Sequence, residues 1–244
     1  MLPADGLISF IVLLLPLVII QRLLHRELQL ILFSITRNPN LALGLFSLIF
    51  LPGILLHELS HLVMAKLLGV RTGNFSITPR TLSDGRLQLG YVETEKSDAF
   101  RDSLIGLAPM LTGGLIVAYI AVVKLNFSGL WDYLQSWELL PLWQEFLSLS
   151  KLPDFPIWFY LALVVSSTML PSASDRHSFI PLFLYAGLMV LLALLFGLAS
   201  VLQGLLQPLN NFLNAVALVF GFSLAVHILL LIPTLSIHAV LERI

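Results

Sequence analysis

The chain contains no cysteine, which excludes disulfides, iron–sulfur ligation and thiol nucleophiles. It is almost as poor in charge. Only 11% of its 244 residues are Asp, Glu, Lys or Arg, against about 25% in a soluble domain. Thirteen basic and 14 acidic residues leave a net charge of −1. No long basic run offers a footprint for nucleic acid, so no such partner is expected. The first apolar run lacks a basic flank and a small-residue cleavage site, and it reads as a retained span rather than a leader. Internal repeats and low-complexity tracts are also absent.

What is abundant is apolar: 58% of residues are hydrophobic, with a mean hydropathy of +0.95. The chain is therefore expected to be an α-helical polytopic membrane protein in contact with a lipid bilayer, folded as a single membrane-embedded domain. A membrane-spanning helix needs roughly 20 apolar residues. On that measure six spans are expected, at about residues 7–24, 41–68, 100–123, 157–170, 179–202 and 212–240. A polar connector with Arg22, Arg26 and Arg37 separates the first two, and His25 and Glu27 read as ordinary connector residues. Asn40 is the expected N-cap of the second span, and Gly69 its natural stop. Gln203 to Asn211, with Pro208, is expected to divide the last two.

Residues 70–98 form the one long polar segment. Phe75 and Ile77 alternate with polar neighbours, as do Leu87, Leu89 and Tyr91, and Asp84-Gly85 lies between the runs, which predicts a β-hairpin. All four tryptophans, Trp131, Trp137, Trp143 and Trp158, fall between the third span and the start of the fourth. Trp favours the membrane–water boundary, so an interfacial helix is expected there.

The second span carries His57-Glu58-Leu59-Ser60-His61. On a helix, positions i and i+4 lie only about 40° apart around the axis, so both imidazoles can reach one metal ion. Glu58 is placed to take a proton from an attacking water. Composition alone predicts about 0.004 occurrences of this H-E-x-x-H pattern in a chain of this make-up. Residues 38–56 hold no charge, and then one glutamate and two histidines appear together. Ionisable groups inside a membrane are costly and functional by default.

A catalytic zinc site usually has three protein ligands and one open position. Alternating spans put the C-terminal ends of the second and fourth on one face. Asp175, just past the fourth, is the best-placed third ligand, with His177 able to replace or assist it and Arg176 as a supporting partner. His227 and His238 share a helix face and read as satisfied core histidines, with a second metal or proton path as the alternative.

With these residues the chain resembles the site-2 proteases, intramembrane zinc metalloproteases. The resemblance covers about residues 41–178 and rests on His57 to His61, on Ala108-Pro109-Met110-Leu111-Thr112 for the family's Gly-Pro-x-x-Asn, and on Pro171 to Asp175 for its Asn…Pro…Asp-Gly element. Ser167 stands where the family has asparagine, Thr112 where it has another, and Arg176 where it has glycine, which marks a divergent member. The resemblance implies Zn2+ on His57, His61 and Asp175, Glu58 as general base, and Thr112, Ser167, Arg176 and His177 as positioning groups. It also implies hydrolysis of a peptide bond in or near a transmembrane segment of another membrane protein. The hairpin could add the unwound substrate as an extra strand.

Counting basic residues by loop places eight on the side of the N-terminus and the site and five opposite, so both are expected to face the cytoplasm. Rival readings are a metal-binding or metal-transporting membrane protein and an inactive homologue or scaffold that binds transmembrane segments. A different zincin class, such as a prenyl-protein protease, would leave Asp175 without a role.

Overall fold

A computed structural model describes residues 5–81, 87–126, 136, 138–172 and 174–241. Helix α1 (Asp5–Thr36) is followed by α2 (Pro39–Ile49) and α3 (Leu51–Leu67). Four short strands come next: β1 (Thr72–Ser76), β2 (Arg80–Thr81), β3 (Leu87–Gln88) and β4 (Tyr91–Thr94). Then come α4 (Ala99–Tyr119), which runs on as a π-helical turn over Ile120–Lys124, α5 (Leu139–Ser150), α6 (Phe155–Thr168), a 3-10 turn at Asp175–Ser178, α7 (Phe179–Leu195) and α8 (Ala199–Leu241).

Among the described residues, α1, α4 with its π-turn, and α8 are each long and apolar enough to cross a membrane. The pair α2–α3 makes a fourth candidate if it counts as one span, bent by 72°. The expected membrane-helical class therefore holds, whereas six spans are not shown. α6 and α7, 14 and 17 residues long, are shorter apolar helices.

Several boundaries differ from expectation for physical reasons. The connector at 21–40 is mostly helix, because polar residues do not end a helix whose other faces are packed. Glu27 is buried and its Oε2 meets His238 Nδ1 at 2.6 Å. The N-cap of α2 is Asn38, not Asn40: its Oδ1 accepts from the backbone of Asn40 at 2.9 Å and Leu41 at 3.2 Å. Pro39, with no N–H and a helical φ, sits in the first turn. The expected division at 203–211 is also absent. α8 is continuous through Pro208, and its polar residues find partners: Gln207 donates to Asn211, and Asn210 accepts from Gly6 N at 2.7 Å. The break falls instead at Gly197, whose φ of +73° a side chain would oppose.

α1 and α8 form the most extensive helix pair. They run parallel: Gly6 meets Asn210, the tilted rings of Phe10 and Phe220 have centroids 5.4 Å apart, and Glu27 meets His238. Six alternating crossings would set the first and last helices antiparallel. Beside this pair, α3 packs against α4 and α6. Leu17, Leu24, Phe46, Phe50, Ile54, Val117, Val164 and Phe220 join both groups in one apolar core.

The expected hairpin is present as two short ladders. β1 pairs antiparallel with β4 (Phe75 opposite Val92, Ser76 opposite Tyr91), with a bulge after Thr72, and β2 pairs with β3. Asp84-Gly85 lies outside the described residues. Gly69, at φ +70°, ends α3 as expected. In the stretch expected to hold an interfacial helix, α5 is present with Trp143 exposed, while Trp131 and Trp137 are outside the described residues.

Candidate metal centre

His57 and His61 lie one turn apart on α3, and their Nε2 atoms are 3.2 Å apart. Asp175, on the 3-10 turn, brings Oδ2 to 3.8 Å from His57 Nε2 and Oδ1 to 3.6 Å from His61 Nε2. Two ligand bonds of about 2.05 Å at a tetrahedral angle span about 3.3 Å. The triangle therefore has close to the dimensions that a tetrahedral ion would need. One potential ligand atom from each of the three residues lies within 4.8 Å of the others, so the group could hold a metal.

The second ring nitrogens strengthen this. His57 Nδ1 lies 2.6 Å from Thr168 O, and His61 Nδ1 lies 2.8 Å from Ile105 O. A carbonyl oxygen only accepts, so each Nδ1 must carry the proton. In the neutral imidazoles both Nε2 atoms then point bare lone pairs at each other. Such an arrangement is stabilised by a cation between them, and carbonyl-anchored imidazoles are what metal-ligating histidines normally show.

Local sequence explains the placement of Asp175. Ser172 N donates to Asp175 Oδ2 at 2.7 Å and Ser172 Oγ accepts from Asp175 N at 3.3 Å, which folds the segment after α6 back on itself. α4 passes directly beneath it. A Cβ at Gly106 would sit 2.9 Å from Asp175 O, so a side chain there would push the turn away.

Glu58 is buried, at 7% exposure. It shares with His57, His61 and Asp175 a cavity of about 930 Å³, also walled by Leu89 to Lys96 of the β-segment and by Gln21 and His25 of α1. The turn before β4 approaches Glu58 closely: a Cβ on Gly90 would lie 2.8 Å from Glu58 Cγ.

The other anticipated positions have different surroundings. Thr112 Oγ1 lies 2.5 Å from Ser60 Oγ and donates to Ala108 O at 2.9 Å, tying α4 to α3. Ser167 lines the cavity, but its Oγ meets His227 Nε2 at 2.9 Å. Arg176 is exposed, and the His177 side chain is outside the described residues. His227 is fully buried, with Nδ1 2.7 Å from Ser223 O, and is the satisfied core histidine expected. His238 is paired with Glu27.

Sequence reasoning missed Gln21, His25, Gly90 and Gly106 in the cavity or its supports. Gln21 and His25 carry a readable signal, two polar residues at i and i+4 on one helix face. The carbonyls of Ile105 and Thr168 carry none.

The fold and site together define a helical, membrane-type protein with a His–His–Asp group able to hold a metal in a cavity that also contains a buried glutamate. No family model, no curated protein and no solved structure matches this chain.

Proposed function

We propose that this chain is an intramembrane zinc metalloprotease, a divergent relative of the site-2 proteases, that hydrolyses a peptide bond in or near a transmembrane segment of another membrane protein. The observation that carries the reading is the convergence of two carbonyl-anchored imidazoles and one carboxylate beside Glu58 in a single cavity. His57, His61 and Asp175 would hold the ion and leave a position open. Zinc in such a site polarises the scissile carbonyl and acidifies water.

Glu58 Oε1 accepts the proton of the attacking water and returns it to the leaving nitrogen as the C–N bond breaks. Glu58 lies on α3 beside His57 and shares the cavity with the three ligands. A helical substrate hides its carbonyls and must unwind to be cut. Among the described residues β4 is paired on one side only, by β1, and residues 91–94 line the cavity. That edge suits an unwound segment added as a strand.

The N-terminus and site are assigned to the cytoplasmic side. Supporting this, Lys66, Arg71, Arg80, Lys96 and Arg101 fall in the last turn of α3, the first turn of α4 or the segment between them, and Arg80 and Lys96 line the cavity. The parallel packing of α1 and α8 favours an odd number of crossings: α1, the bent α2–α3 pair, α4, α6 and α8.

Glu58→Gln tests the enzymatic role. Zinc should be retained while cleavage of a membrane-protein substrate falls at least ~100-fold. Unchanged function in this variant would favour a metal-binding or metal-transporting protein instead.

A further inference from the structure

We infer that Gln21 on α1 and His227 on α8 are positioning residues for the metal ligands, acting through the last turn of α6. The inference rests on the metal-centre reading above.

Its origin lies in the sequence after α6. The last carbonyls of a helix lack helical partners. Ser167 O would need the N–H of residue 171, which is Pro171 and has none. Thr168 O would need the N–H of Ser172, which is committed to Asp175 Oδ2 at 2.7 Å. Two adjacent carbonyls are thereby released, and each is taken from a different helix. His57 Nδ1 takes Thr168 O at 2.6 Å, and Gln21 Nε2 donates to Ser167 O. The same residue is gripped a second time, since Ser167 Oγ meets His227 Nε2 at 2.9 Å and His227 Nδ1 is itself fixed on Ser223 O.

Residues 167–175 thus carry the carbonyl that orients one ligand and the carboxylate that is another. α1 and α8, which supply no ligand, hold this segment in place. Gln21 Oε1 has no hydrogen-bond partner among the described residues. The amide orientation is therefore dictated by Ser167 O alone, because a flipped amide would oppose two acceptors.

The test is zinc affinity, measured by chelator competition on the full-length protein in detergent. It compares wild type with Gln21→Met, His227→Phe and the milder Ser167→Ala. Asn210→Leu is the control, because it removes a hydrogen bond between the same two helices, Gly6 N to Asn210 Oδ1 at 2.7 Å, away from the centre. Affinity should fall about tenfold in Gln21→Met and His227→Phe and less in Ser167→Ala. The visible bands of the Co2+-loaded protein should shift in these variants and stay put in Asn210→Leu. Unchanged affinity and spectra in the three variants, or an equal loss in Asn210→Leu, would overturn the inference and leave the site intact. Absence of zinc from the wild type would instead overturn the metal-centre reading and this inference with it.

Discussion

The α3–α4–α6 layer and the α1–α8 pair hold themselves together in different ways. Within the layer, backbones touch through small residues. A Cβ on Gly53 would lie 2.2 Å from Val164 O, one on Gly113 would lie 2.6 Å from Met169 Cβ, and Ser60 meets Thr112 across the helices. The α1–α8 pair has one such approach, near its start, where a Cβ on Gly6 would lie 2.4 Å from Asn210 O, and otherwise relies on apolar side chains with Glu27 to His238 as an isolated polar tie. Helices in lipid gain nothing from hydrophobicity alone when they associate, so close backbone approach and hydrogen bonds decide where precision resides. The precision here surrounds the three candidate ligands, and the long pair supplies bulk and a grip from behind.

Disturbing the layer should therefore cost far more than disturbing the pair. Gly53→Ala forces a methyl onto a backbone carbonyl that cannot move without shifting α6 and with it Thr168. Thermal unfolding in detergent should show a loss of about 3 kcal/mol, accompanied by loss of zinc. Gly44→Ala, where nothing lies within 4 Å, should be neutral or stabilising by about 0.5–1 kcal/mol. Equal effects at the two glycines would mean that close backbone approach does not set the stability of the layer.

Breaking the Glu27–His238 pair comes next. Glu27→Leu removes the carboxylate from the half-buried His238 imidazole, and stability should drop by about 1 kcal/mol, with zinc stoichiometry unchanged. Zinc loss in this variant would mean that the pair shapes the centre directly.

The smallest effect is expected at the exposed end of the layer, at the N-cap of α4. Asp98 is fully exposed, and the hydrogen bond from Arg101 N holds its carboxyl below the usual carboxylate range. A depressed folded value means the cap contributes above the ordinary carboxylate value, about 3.9, and is lost as pH falls through the lowered one. Asp98→Ala should slightly lower stability near neutral pH and remove that acid-range dependence, as read by thermal unfolding between pH 3 and 7.

Much of the candidate site is legible in the sequence. His57, Glu58 and His61 share a spacing that only a helix satisfies, and Asp175 followed from alternation of spans. Thr112 and Ser167 were readable as candidates, but their hydroxyls hydrogen-bond to neighbouring helices, to Ser60 and His227. A hydroxyl in a membrane takes whichever partner lies nearest, and sequence does not encode that distance. The continuity of α8 was hidden for a related reason. Its Gln and Asn residues look like a loop until Gly6 appears opposite Asn210. Likewise Glu27 reads as solvated until a partner more than 200 residues away covers it. Local rules gave the helices, and long-range pairing decided which polar residues ended up inside.

Metal content decides whether His57, His61 and Asp175 hold one zinc ion. Wild type and Asp175→Ala, purified in detergent and supplied with zinc, would be compared by elemental analysis. About one zinc per chain is expected in the wild type, lost or sharply reduced in Asp175→Ala. Zinc absent from the wild type, or fully retained without Asp175, would contradict that assignment.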